Sequence, residues 1–119
     1  MNYPIHKAAH VFVAAAAAFA LSGTVLAAVD VDEAKDLATQ NNCFKCHAIK
    51  KDGDGPAYMK VAAKYKGKPG AEKRLIEHIT TGEKAKFPDG HEEDHKIVKT
   101  SPPKDMAQIQ NLVNWILSL

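Results

Sequence analysis

The chain has 119 residues, 45% of them apolar, with 16 Lys+Arg against 14 Asp+Glu and a formal charge of +2. That length holds one small domain with a limited core, and so even a charge balance carries no nucleic-acid footprint. With only two cysteines, Cys43 and Cys46, any cysteine chemistry is confined to one place in the chain.

The N-terminus reads as a targeting segment. Lys7 supplies a positive charge, Val11 to Leu21 is an alanine-dominated apolar run, and Val25-Leu26-Ala27 offers the small residues a signal peptidase needs. The run is short for a spanning helix, which takes about 20 residues, and no stop-transfer pattern follows. The expected division is a signal peptide over 1–27, cut after Ala27 or Ala28, and a single domain over 28–119. Lys7 is the leader's one charged side chain, so nearly all the charge belongs to the mature domain.

Asp30 or Asp32 can cap a first helix running to Gln40, with Ala34, Leu37 and Ala38 on one face. Asn41-Asn42 ends it, and Cys43-Phe44-Lys45-Cys46-His47 follows. This C-x-x-C-H spacing is that of covalent haem attachment: two thiols add to the two vinyl groups, and the next residue is placed to become an axial iron ligand. A zinc site would need further ligands at finger-like spacing. A redox dithiol would need a βαβ context that the pattern lacks.

Asp52-Gly53-Asp54-Gly55-Pro56 is a dense turn signal. A short helix over Ala57 to Lys66 would turn Met59, Val61, Ala62 and Tyr65 inward, with Met59 serving packing. Gly67-Lys68-Pro69-Gly70 breaks it, and a helix over Ala71 to Thr80 presents Leu75, Ile76 and Ile79 together. His78 on that helix reads as a surface or core residue. Glu83 to Lys99 is polar and irregular, with no convincing strand pair. In the last helix Ser101 is the expected cap and Pro102 a first-turn proline, with Met106, Ile109, Leu112, Val113, Ile116 and Leu117 on the apolar stripe.

Together these residues resemble a class I cytochrome c of the small bacterial type. The resemblance rests on Cys43-x-x-Cys46-His47, Gly55-Pro56, Ala63-Lys64-Tyr65-Lys66-Gly67 and a last helix carrying Trp115-Ile116-Leu117. It implies an all-α fold in which about four helices surround one covalently bound haem c and the first and last helices cross. It implies that Pro56 packs beside His47, with the Gly55 carbonyl accepting the imidazole N–H. It also brings Trp115 to the haem, although by itself such a tryptophan reads as a packed core aromatic.

The departure from that pattern is the sixth ligand. The family usually places a methionine in the loop before the last helix, and this chain has none there. His95 occupies that place and is the first candidate, giving His47/His95 coordination. Met106, His91 and an open site remain as alternatives. A second imidazole in place of methionine lowers the reduction potential. The expected function is a periplasmic carrier of single electrons, not an enzyme, that docks redox partner proteins at the exposed haem edge. It would bind no nucleic acid and hold no membrane once the leader is removed. Lys45, Lys50, Lys51, Lys60, Lys64, Lys66 and Lys68 could steer an acidic partner or simply be solvated charge. The alternative function is a sensor of small gases with a displaceable sixth ligand.

Overall fold

The computed structural model describes residues 28–119, so the expected leader and its cleavage point lie outside the described residues. The elements are α1 (Val31–Gln40), a 3-10 turn (Cys43–Lys45), α2 (Tyr58–Tyr65), α3 (Ala71–Thr80), β1 (Lys84–Lys86), β2 (Glu92–Asp94) and α4 (Met106–Ser118). Four helices carry the fold, as expected.

α1 begins at Asp30, whose carboxylate accepts the Glu33 backbone N–H at 2.9 Å and satisfies one of the donors a helix start leaves free. Ala34, Leu37 and Ala38 are its buried face, at the i, i+3, i+4 spacing of an amphipathic helix. That face packs on α4, the most extensive pairing of elements in the fold. Asn111 of α4 closes the same pair, its amide exchanging two hydrogen bonds with the Asp30 backbone at 2.9 and 2.8 Å. At the other end Asn41 reaches across to Lys99. Its side chain accepts the Lys99 N–H at 2.7 Å and donates to the Lys99 carbonyl at 2.9 Å, tying the loop before α4 to the end of α1.

Several expectations need correction. α4 starts at Asp105, not Ser101: its carboxylate accepts from the Ala107 and Gln108 N–H groups at 3.0 and 3.3 Å. Pro103 disfavours a helical Pro102, and Lys104 stands at φ 58°, so no helix can run back to Ser101. Met106 therefore sits in the first turn, 45% exposed and outside the core, and Met59 is equally exposed. α2 buries Ala62, as expected, and Tyr58 in place of Met59.

Residues 83–99 also contain a small antiparallel pair. Lys84, Ala85 and Lys86 face Asp94, Glu93 and Glu92. The strands lack the apolar alternation that announces a strand, and one ion pair supports the ladder, with Lys84 Nζ 2.7 Å from Asp94 Oδ1.

The largest fully buried side chains are Trp115, Leu112 and Val113, all on α4. Trp115 meets Phe44 and Tyr58 edge-on, with ring centroids at 6.3 and 5.8 Å, while Phe44 and Tyr58 stand 6.1 Å apart. This aromatic triangle joins the cysteine loop, α2 and α4 directly behind His47.

Candidate haem site

The 3-10 turn places Cys43 and Cys46 on one short loop, closed by hydrogen bonds from the Cys46 and His47 N–H groups to the Cys43 carbonyl at 3.2 and 3.0 Å. Both thiols are free of any disulfide. Burial pushes the Cys43 thiol up, so it stays protonated at neutral pH.

His47 leaves this loop toward a cavity of about 510 Å³, a size suited to a large cofactor. Its Nδ1 lies 2.8 Å from the Pro56 carbonyl. A carbonyl only accepts, so Nδ1 carries the proton and Nε2 keeps its lone pair. The acceptor is Pro56 itself, which corrects the expectation of Gly55: the Gly55 carbonyl is taken by the Gly53 N–H at 2.9 Å. Gly55 serves by having no side chain, since a Cβ there would fall 2.7 Å from both His47 ring nitrogens. The imidazole also lies flat on Tyr58, centroids 5.1 Å apart and planes 7° from parallel. Burial, reinforced by His78, pushes the His47 pKa down against the pull of the Pro56 carbonyl. The ring is thus neutral at pH 7, as a metal ligand must be.

Across the cavity stand His95 and the residues that follow it, Ile97 and Val98. α4 contributes Leu112, Val113 and Ile116, and α3 contributes Leu75, His78 and Ile79. Gly55 and Pro56 line the near side, whereas Trp115 does not reach the cavity and acts through Phe44 and Tyr58.

His95 has the same protonation logic as His47. Its Nδ1 lies 2.9 Å from the Lys96 carbonyl, so Nε2 is again the bare nitrogen. Burial first, then His78, lowers its pKa. The two rings lie 6.1 Å apart, centroid to centroid.

Of the other candidate ligands, neither Met59 nor Met106 lines the cavity. His91 is engaged on the hairpin instead, paired with Asp89 and, at 3.1 Å, with Glu93. Those carboxylates, Asp89 first, raise the His91 pKa above the ordinary value of about 6.5. The sign follows. A raised folded value means this pairing stabilises fully below about pH 6.5 and is lost as pH rises through the folded value. The thermal midpoint difference between the protein and His91→Ala should therefore be present at pH 6 and vanish at pH 9. It should also shrink with salt, because the group is exposed. A difference independent of pH would refute the ion pairing.

Sequence reading underestimated His78. It lines the cavity with its ring centroid 4.2 Å from that of His95, and its Nδ1 lies 2.6 Å from Glu83 Oε1. Arg74 Nη2 donates to the same oxygen at 2.6 Å. Arg74 first, then His78, holds the Glu83 carboxyl below the usual range. The i, i+4 spacing of Arg74 and His78 on one helix face was the available signal.

The chemistry of this donor set is that of a c-type haem: two thiols on one loop, an imidazole presenting Nε2 to a largely apolar cavity, and a second imidazole opposite. Residues 31–119 match the cytochrome c family, and the chain belongs to it. It is a class I, single-haem cytochrome c carrying haem c through Cys43 and Cys46.

The chain is 33% identical to cytochrome c-551 of Pseudomonas aeruginosa over 100 residues, covering 82% of this chain and 88% of that protein. It is 33% identical to cytochrome c2 of Rubrivivax gelatinosus over 85 residues, covering 69% of this chain and 92% of that one. Among solved structures, the class 1 cytochrome MtoD of Sideroxydans lithotrophicus ES-1 is 62% identical with a TM-score of 0.71, covering 76% of this chain and 97% of that one. Wild-type cytochrome c552 of Nitrosomonas europaea is 30% identical with a TM-score of 0.57, covering 71% and 98%.

Proposed function

We propose that this protein is a periplasmic carrier of single electrons whose iron is held between His47 and His95. The observation that carries the reading is the disposition of the two rings. A metal–imidazole bond is about 2 Å and the ring centre lies about 1 Å behind its nitrogen, so opposed ligand rings stand about 6 Å apart; His47 and His95 are separated by 6.1 Å. Both rings spend Nδ1 on a backbone carbonyl and keep Nε2 for the metal.

The haem supplies a one-electron redox centre, and the protein's part is to hold it still and dry on one side. Two neutral imidazoles leave no coordination position for a substrate, which separates a carrier from an enzyme. They also favour ferric iron relative to a His/Met pair, so the potential should lie below that of a methionine-ligated relative. Lys64, Lys86 and Lys96 border the cavity beside the ion-paired Lys60 and Lys84, together with the carboxylates Asp54, Glu83, Glu93 and Asp94, a rim of mixed charge whose lysines could meet an acidic redox partner. No helix among the described residues is long and apolar enough to cross a membrane. Export to the periplasm rests on the leader-like sequence of 1–27.

The test is the sixth ligand. The oxidised protein should be low-spin and lack the weak far-red sulfur-to-iron band, and the reduced protein should resist carbon monoxide. His95→Ala should bind carbon monoxide at once. A sulfur band in the unaltered protein, or a His95→Ala variant that still excludes carbon monoxide, would overturn the ligand assignment.

A further inference from the structure

The far wall of the cavity holds more than the proposed ligand. His78 lies against His95, the rings 4.2 Å apart and their planes at 44°. It is anchored: a carboxylate only accepts, so the 2.6 Å contact with Glu83 puts a His78 proton on Nδ1 and holds that edge of the ring on Glu83. Arg74 braces the same carboxylate at 2.6 Å. Glu83 also holds the His95 backbone, because its own carbonyl accepts the His95 N–H at 2.9 Å.

One residue thus governs both the chain that carries His95 and the ring that lies against it. The chain path makes this possible. Arg74 and His78 share a face of α3, and the turn through Gly82, at φ +70°, brings Glu83 back beneath them.

The geometry points to Arg74, Glu83 and His78 as a clamp of positioning residues that fixes the ring of His95 over the iron. The inference rests on His95 being the sixth ligand. An imidazole bound through one nitrogen is free to turn about that bond unless outer contacts stop it. Among the described residues, the only hydrogen bond from the His95 ring runs to the adjacent Lys96 carbonyl, which moves with the same loop. His78 supplies a face from a different element, and Glu83 ties that element to the His95 backbone. Loss of such an outer contact ordinarily weakens a metal ligand about tenfold or more.

The experiment compares His78→Phe, Glu83→Gln and His95→Ala in the haem-loaded protein. The readouts are the low-spin ferric electron paramagnetic resonance g-values, the rate of carbon monoxide binding to the ferrous form, and the thermal midpoint. His78→Phe keeps a ring but loses the Glu83 anchor. It should shift the g-values and speed carbon monoxide binding about tenfold, at the low end of outer-shell losses. Glu83→Gln, which keeps an acceptor but no charge, should move both in the same direction by less. It also carries the test if His78→Phe fails to fold.

Lower thermal midpoints with unchanged g-values and carbon monoxide rates in both variants would overturn the clamp, leaving Glu83 a purely structural brace. His95→Ala separates the two levels. If it opens the iron while the other variants do nothing, the ligand assignment stands and the clamp fails. If it does not open the iron, the ligand assignment fails and takes the clamp with it.

Discussion

Gly55→Ala is expected to be among the most damaging single-methyl additions this protein can suffer. The new Cβ would lie 2.7 Å from both His47 nitrogens and closer still to Cε1. The ring has little room to yield: Pro56 holds Nδ1 at 2.8 Å, Tyr58 covers one face, and Cys46 precedes it in a tethered loop. Either the imidazole turns and gives up its alignment, or the backbone of the Asp52–Pro56 loop moves. Overpacking of this kind costs about 1–3 kcal/mol, and the upper end is expected because the neighbour is His47, the proposed proximal ligand. Denaturant unfolding of the loaded protein should show that loss, and the low-spin spectrum should be partly replaced by a high-spin one. A variant with wild-type stability and spectrum would mean that the loop relaxes freely and that Gly55 is not required.

Trp115→Ala should cost more. Trp115 is 2% exposed and is the largest side chain of the core. Truncating such a residue removes about 3–5 kcal/mol, a large share of the roughly 5–15 kcal/mol that holds a domain together. The damage should reach the site as well, because Trp115 backs Tyr58 at 5.8 Å and Tyr58 backs His47 at 5.1 Å. Trp115→Phe should recover part of the loss by restoring an edge-on contact. Guanidinium unfolding of the three proteins measures this directly. A loss below about 1 kcal/mol for the alanine variant would refute the central place given to Trp115 in the core.

The haem loop was legible without coordinates because its chemistry is local. Two thiols and a histidine at fixed spacing define attachment whatever surrounds them. The faces of α1 and α3 were legible for a related reason: Ala34, Leu37 and Ala38, like Leu75 and Ile79, repeat at the period of a helix. The strand pair was not, because Lys84-Ala85-Lys86 facing the acidic triplet Glu92-Glu93-Asp94 across Pro88-Asp89-Gly90 carries no run of alternating apolar residues. Ser101 is the expected cap of the last helix; the left-handed Lys104 excludes it and leaves the role to Asp105.

Attachment through Cys43 and Cys46, the choice of His47 as the proposed proximal ligand and membership of a helical class therefore follow from residue order, since each depends on neighbours a few positions apart. The carbonyl that orients His47, the exposure of Met59 and Met106, the withdrawal of Trp115 behind the cavity wall and the approach of His78 to His95 follow from how distant segments pack. The His47–Pro56 bond depends on how the intervening turn closes, and the His78–His95 approach on how α3 and the hairpin meet. Neither distance is written in the spacing of the residues, because packing sets it through contacts between segments that the chain order leaves unconnected.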